Sequence, residues 1–335
     1  MAFQGNPSFY PGGFGAGLVV RNMPLLQTYP GVVWWVSNNA TLPGGISSQR
    51  IPFVNGSDGN KGTWNAPFAT LTQALSVASN NDIIMVKPGH AETVAAAAGI
   101  VINKGVAIVG LGSGAARPTF TFSTATSTIT VTANNASVQN LLHLGGAAST
   151  FVATAYSIAN AQVATHFTVE SCEFRDVDAT HGFVACVKVG TTANIADGLR
   201  FANNKVFRNL TSPPGANTAV VLASNIDRME FEGNYIVNST ANNNIALGIA
   251  GGALAMTNVS IRGNRTRSLN TGTTAGELLS SSSTACSGLV SDNYVQHLAA
   301  TGLIAPTGTK LGFAQNFCAI TGTADTNAII NPAVA

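Results

Sequence analysis

A short pattern recurs through the second half of the chain at nearly constant spacing. It consists of an apolar residue, two variable residues, a polar residue, one more variable residue and a second apolar residue. The polar position is filled in turn by Asn140, Cys172, Asn204, Asn234, Asn264, Asn293 and Asn316. Asn140 is the least regular member, because its leading apolar residue is shifted by one. The steps are 32, 32, 30, 30, 29 and 23 residues, and such a period indicates a solenoid of stacked units.

Each repeat consists of strands and turns. Segments such as 105–112, 118–122 and 127–135 are rich in β-branched or aromatic residues and are bounded by Gly, Asn or Pro. Only 68–79 carries apolar residues at convincing helical spacing. The sequence therefore predicts an all-β fold, a single-stranded parallel β-helix with a short capping helix at about 68–79. A β-sandwich whose Asn turns coincide by chance is the alternative.

The low charge content agrees with a β-helix. Charged residues are 9% of the chain, against about 25% in an ordinary globular domain. Stacked coils place equivalent residues about 4.8 Å apart, where like charges repel. An inward Asn in each coil would hydrogen-bond to backbone groups and to the next Asn, so we predict a structural ladder at the seven polar positions.

Charge and composition exclude several classes of protein. The net charge is +2, too small to suggest a nucleic-acid partner. No run of about 18 apolar residues suggests a membrane span, and the N-terminus lacks the pattern of a signal peptide. The histidines and the four cysteines fit no metal or redox spacing. We therefore expect no cofactor and no metal, and we interpret the cysteines as buried thiols.

Residues 1–50 differ from the rest of the chain. They are rich in Gly and Pro and contain aromatic residues that need burial: Phe3, Phe9, Tyr10, Phe14, Trp34 and Trp35. We interpret this segment as an extended arm for attachment or for wrapping around a neighbouring subunit. An arm folded back on its own domain is the alternative. Residues 51–335 then form the β-helix.

Two charged clusters are candidate sites. The acidic one comprises Glu170, Glu173, Asp176 and Asp178, with His181 close by. Two of its carboxylates on one surface would suit acid–base chemistry or a hard cation, whereas a solvated loop after one coil is the alternative that we prefer.

The basic cluster comprises Arg262, Arg265 and Arg267. Arginines in this arrangement would suit a sulfate, a phosphate or an acidic sugar. The preferred alternative is pairing between subunits with acidic residues one coil earlier, namely Asp227, Glu230 and Glu232.

Three segments resemble the start of pectin-lyase-like right-handed parallel β-helix proteins. They are VNGSDGNKGTWNAPFATLTQAL, IIMVKPG and GVAIVGLGSGAARPTFTF. The closest similarity is to members from tailed phages, and this resemblance implies a right-handed winding, a helix that caps the first coil, a homotrimer and a place on the particle surface. Enzymes of the family carry clustered acidic residues with an Arg base, or Asp residues with Gly-His-Gly and Arg-x-Lys. Neither set is found, since His181-Gly182 lacks the preceding Gly.

These observations predict a non-enzymatic structural protein of a bacteriophage particle. We expect a trimer on the capsid surface, as a decoration protein or head fibre, anchored to other virion proteins through residues 1–50. The expected location is the virion. A tail fibre or tailspike that binds or depolymerises a host surface polysaccharide is the enzyme or binding alternative, with a host glycan as its partner. A secreted bacterial β-helix is a further alternative.

Overall fold

The structure is a computed structural model that describes most of the chain. The described residues are 18–20, 23–25, 31–38, 55–146, 151–160, 163–209, 218–239, 247–268, 278–297, 303–304, 309–320 and 328–329. Within them, three long sheets run side by side along one axis. From Ile83 onward the chain visits the first, second and third sheet in the same order in successive coils, so the fold is a parallel β-helix, as the repeat predicts.

The strands follow each other along the axis of the solenoid. The first sheet contains Val33–Val36, Ile83–Val86, Ala107–Gly110, Ser137–Gln139, Thr168–Glu170, Arg200–Ala202, Glu230–Glu232, Val259–Arg262, Ser287–Ser291 and Lys310–Ala314. The second contains Ala91–Val94, Thr119–Phe122, Leu142–Gly145, Glu173–Asp176, Lys205–Arg208, Tyr235–Asn238, Arg265–Ser268, Tyr294–His297, Phe317–Ile320 and, antiparallel at its end, Ala328–Ile329. The third contains Ile100–Ile102, Ile129–Val131, Phe151–Ile158, Gly182–Val189, Thr218–Leu222, Ile249–Gly252, Leu279–Ser281 and Leu303–Ile304.

Two short strand pairs complete the described elements. Leu18–Val20 pairs antiparallel with Met23–Leu25, and Ile226–Asp227 pairs parallel with Met256–Thr257. A 3-10 turn spans Gly114–Ala116.

From the coil of Thr168–Glu170 onward, a tight turn joins the first sheet to the second. Its leading residue adopts a positive φ of 52° to 64° and is, in successive coils, Ser171, Asn203, Gly233, Gly263, Asp292 and Gln315. The left-handed conformation favours Gly and Asn. The next residue occupies the predicted ladder position.

The side chains of Asn204, Asn234, Asn264, Asn293 and Asn316 form one column inside the solenoid. Each is at most 1% exposed. Each Oδ1 accepts the backbone N–H of the ladder residue one coil earlier, at 2.9–3.2 Å. Each Nδ2 donates to a backbone carbonyl in the first-sheet strand of the coil before its own, at 2.7–2.9 Å. The column therefore satisfies buried backbone groups of the turns.

Asn140 does not belong to this column, and its assignment to the ladder is wrong. Pairing of the following strands places Leu141 level with Cys172. Asn140 occupies the preceding turn position, with a φ of 54°. Its amide donates to the carbonyls of Gly110 and Gly112, at 2.7 and 3.0 Å. Asn tolerates a positive φ, so the same residue type fits either position of the turn.

The helix that covers the first coil spans Leu71–Val77, shorter than the predicted 68–79. Thr70 caps its N-terminus by accepting the N–H of Gln73 at 3.1 Å. Phe68 stays outside the helix because its backbone donates to the Trp35 carbonyl at 2.8 Å and pairs with the first strand.

The placement of Trp34 and Trp35 in an attachment arm is wrong. Their strand, Val33–Val36, pairs in parallel with the next first-sheet strand. Trp35 is 5% exposed and packs edge-on against Trp64, at 4.6 Å between ring centroids. Trp34 Nε1–H donates to a buried Asp82 oxygen at 2.8 Å. Aromatic and β-branched residues of this kind form strands readily, and this one completes the first sheet. The β-helix thus begins before residue 51.

The other predicted arm residues, namely Phe3, Phe9, Tyr10 and Phe14, lie outside the described residues.

Candidate binding face

The acidic residues on the outer face of the first sheet are neutralised by arginines one coil away. Arg200 lies between Glu170 and Glu230, with N–O distances of 2.8 and 2.9 Å. Arg262 pairs with Glu232 at 2.7 Å. Opposite charges thus alternate along the axis, which avoids the repulsion between stacked like charges. Arg262 pairs with an acidic residue one coil earlier as predicted, but within the same chain.

The remaining carboxylates of the predicted acidic cluster also hold structure together. Glu173 pairs with Arg117 at 2.9 Å and contacts Arg175. Asp178 accepts hydrogen bonds from the backbone of Thr180 and from the Thr180 and His181 side chains, which hold its pKa well below the usual range.

The side chain of Asp176 is fully buried and pairs with the buried side chain of Arg208 at 3.5 Å. It also accepts the backbone N–H groups of Phe183 and Asn209, at 3.0 and 2.8 Å. Glu170 lies on the first sheet, whereas Glu173 and Asp176 lie on the second. The acidic cluster therefore does not converge on one surface.

His143 is buried inside the solenoid, where it contacts aromatic rings and a backbone carbonyl. It stacks on Phe174 at 4.5 Å between centroids. Its Nε2 lies 2.7 Å from the Tyr156 hydroxyl and its Nδ1 lies 3.3 Å from the Glu173 carbonyl. Burial lowers the pKa of His143 from 6.5 to about 3, so the imidazole is neutral at physiological pH.

His143 should make the fold less stable in mild acid. Between pH 6.5 and about 3 the unfolded chain protonates this residue and the folded chain does not, so stability is lost as pH falls through this window. At pH 5 the loss relative to pH 7 is about 2 kcal/mol. Denaturant unfolding at both pH values measures it.

The matched variant for this test is His143→Phe combined with Tyr156→Phe, which removes both partners of the buried hydrogen bond. We expect its stability to change less between pH 7 and pH 5 than that of the natural chain. An identical pH dependence of stability in the two chains would contradict the conclusion that His143 causes the loss of stability in acid.

Three cysteines have the buried character predicted for them. Cys172, Cys186 and Cys286 are buried free thiols, and burial raises the pKa of Cys172 and Cys186 to about 12. The side chain of Cys318 lies outside the described residues. Among the residues that the structure describes, no group of three or more His, Cys, Asp and Glu side chains could hold a metal ion. Nor does any helix of that part of the chain have the length and apolar character to span a membrane.

The outer face of the second sheet carries a column of aromatic and cationic side chains. Strand pairing aligns Lys205, Tyr235, Arg265, Tyr294 and Phe317 in one column. The three aromatic side chains of the column are 41%, 44% and 53% exposed, in chain order. The neighbouring column contains Arg175, Phe207, Val237, Arg267 and Gln296.

We call this surface the cationic–aromatic face. It comprises Arg175, Lys205, Phe207, Tyr235, Arg265, Arg267, Tyr294 and Phe317. Arg175 lies over the Phe207 ring at 5.7 Å, and Phe207 contacts Tyr235 edge-on at 6.2 Å. A shallow groove of ≈ 450 Å³ lies around Arg265 and Arg267. Arginine forks and aromatic rings can together hold planar, anionic or ring-shaped ligands.

The predicted arginine cluster is split by this geometry. Arg262 lies on the first sheet, and the turn at Asn264 carries Arg265 and Arg267 onto the second. The aromatic residues of the face were not predicted as a site. Their signal is present in the repeat, since Tyr235, Tyr294 and Phe317 each directly follow a ladder Asn.

Comparison with known proteins places the chain in a family. No curated protein matches the sequence. A solved rhamnogalacturonan lyase is similar over 85% of this chain and 73% of its own, with 15% identity and a TM-score of 0.43. Similarity at that level says nothing about activity. A family profile described as "Protein of unknown function (DUF1565)" matches residues 54–300. Because this match covers most of the chain, the protein belongs to the DUF1565 family.

Proposed function

We propose that the protein is a non-catalytic structural component of a bacteriophage particle, built as a trimer of β-helices on the capsid surface and anchored by its N-terminal residues. The observation that carries this proposal is that the acidic side chains of the predicted cluster are engaged in ion pairs and hydrogen bonds within the fold. Glu170, Glu173, Asp176 and Asp178 are each engaged by a cation, a backbone N–H or both. Polysaccharide-cleaving enzymes of this kind need acidic residues that converge on the substrate.

The outer face of the third sheet supports the proposed trimer. A groove of ≈ 390 Å³ is lined mainly by small and apolar side chains, namely Ala125, Phe151, Ala153, Val184, Ala185 and Val221, together with Lys188. An apolar, charge-poor surface can pack against identical copies without repulsion. The cationic–aromatic face would place like charges together if it packed on itself.

Oligomeric mass and particle content test this proposal. Light scattering should give three times the 34.2 kDa chain mass. Val184→Asp combined with Val221→Asp should yield monomers, while Val177→Asp, at an exposed loop position, should not. Mass spectrometry of gradient-purified particles from a host that carries the gene should find the chain. A monomeric natural chain, or particles without it, would contradict the proposal.

A second candidate function is that of a tail fibre or tailspike that binds or depolymerises host polysaccharide. The cationic–aromatic face favours the binding form of this function. Incubation of the purified chain with host capsule or lipopolysaccharide distinguishes the two forms. Release of oligosaccharides would favour the enzyme and contradict the non-catalytic proposal.

A further inference from the structure

We propose that the cationic–aromatic face binds an anionic saccharide, a sugar chain that carries carboxylate or phosphate groups. In this proposal Arg265 and Arg267 hold the anionic group, and Tyr235 and Tyr294 stack on sugar rings. The inference goes beyond the proposed structural role and does not depend on the chain being part of a particle.

The first argument is that the two arginines have no internal partner. Among the described residues, none forms an ion pair or a hydrogen bond with the guanidinium of Arg265 or Arg267. On the first sheet, by contrast, Arg200 and Arg262 each face a glutamate of a neighbouring coil. Arg265 and Arg267 lie two residues apart on the exposed face of one strand, so two like charges are close together without a carboxylate from the described residues between them. An external anion would offset their repulsion.

The second argument is the spacing of the aromatic rings. Tyr235 and Tyr294 lie on either side of Arg265 in one column, so they are separated by two strand spacings, about 9.6 Å. This separation corresponds to alternate rings of an extended sugar chain. A chain that runs along the solenoid axis could therefore place two alternate rings on the tyrosines and the anionic group of the ring between them on Arg265.

The third argument concerns what else could occupy the face. A second copy of the chain would need an unpaired acidic surface, and the glutamates of the described first sheet are already paired with arginines. A nucleic acid could also stack on tyrosines. Its affinity depends on many released counterions, and the face offers few cations over several coils. Arginine pairs well with carboxylate and phosphate groups by two parallel hydrogen bonds.

Calorimetry on the full chain tests the proposal with defined probes. The anionic saccharides are a hyaluronan octasaccharide, for carboxylate, and a phosphorylated dextran, for phosphate. The comparison probes are neutral dextran, polyglutamate and a single-stranded oligodeoxynucleotide. We expect at least one anionic saccharide to bind more tightly than all three comparison probes, and its identity separates carboxylate from phosphate recognition. Binding should weaken between 50 and 300 mM salt.

Two double variants locate the binding. Arg265→Gln with Arg267→Gln, and Tyr235→Ala with Tyr294→Ala, should each weaken binding at least tenfold. The control is Lys61→Gln with Arg228→Gln, which removes the same charge at two exposed positions outside the face and should bind like the natural chain. Circular dichroism and light scattering should be unchanged in all three.

Several results would overturn the inference. They are binding of neither anionic saccharide, equal or tighter binding of a comparison probe, and equal binding by the natural chain and the arginine variant. A lower oligomeric mass of the arginine variant would instead identify the face as an interface between copies. The trimer and particle measurements of the proposed function are independent of these outcomes.

Discussion

Replacing Arg208 with methionine should destabilise the solenoid by about 3–5 kcal/mol, because one half of a buried ion pair then remains without its partner. Arg208 is 2% exposed. Its Nη1 lies 3.5 Å from Asp176 Oδ1 and donates to the Phe183 carbonyl at 2.7 Å. Its Nη2 donates to the Thr218 carbonyl at 2.8 Å. The variant therefore leaves a buried carboxylate and two carbonyl oxygens without this donor.

The matched control is Arg262→Met, which breaks an exposed pair with Glu232. Exposed pairs contribute only about 0–1 kcal/mol, so this variant should unfold at nearly the same denaturant concentration as the natural chain. Cys186 supplies a local measurement, because its thiol is buried and lies 3.4 Å from Arg208 Nη2. Thiol labelling of Cys186 should accelerate in Arg208→Met. Equal stability losses in the two variants would contradict a buried ion pair.

Asn234→Leu should destabilise the chain by about 3 kcal/mol or more. The substitution removes the acceptor of the Asn204 N–H and the donor to the Phe201 carbonyl, at 3.0 and 2.8 Å. It also removes the donor to the Asn264 Oδ1 at 2.9 Å. Each buried polar group left without a partner costs about 1–3 kcal/mol.

The control for this variant lies in the same kind of turn. Asn203 is exposed and has a φ of 55°, and Gly233 and Gly263 take its place in the next two coils. Asn203→Gly should therefore change stability by less than about 1 kcal/mol. Denaturant unfolding followed by circular dichroism compares the two. A neutral Asn234→Leu would mean that the amide faces solvent.

The stacking of coils could be predicted from the sequence because the same type of buried turn, with the same hydrogen-bonding requirement, recurs along the chain. From Asn204 onward a buried amide satisfies the backbone of each turn, and Asn204, Asn234 and Asn264 recur at a constant interval of 30 residues. Asn140 was misplaced by one residue because Asn serves equally well in the left-handed turn position before Leu141. The repeat period gives the length of a coil, but it does not decide whether Asn140 or Leu141 occupies the ladder position.

Other features depend on contacts that no local pattern reveals. Arg208 and Asp176 lie in different coils and become partners only after the coils stack. The strand that contains Trp34 and Trp35 pairs with Ile83–Val86 across a long connection. Because this pairing is not visible in the local sequence, the composition of the segment suggested an arm. The cationic–aromatic face occupies the variable positions of the repeat, where folding does not fix the residue type. Its residues form one surface only when the strands of successive coils are aligned.

The stacked column of asparagines is tested most directly by an experimental density map of the purified chain at side-chain resolution. We expect the amides of Asn204, Asn234, Asn264, Asn293 and Asn316 to lie in one interior column, separated by about 4.8 Å per coil, with Tyr235, Arg265 and Tyr294 aligned on the outer surface next to it. A map in which these asparagines point to solvent, or lie in different columns, would contradict it.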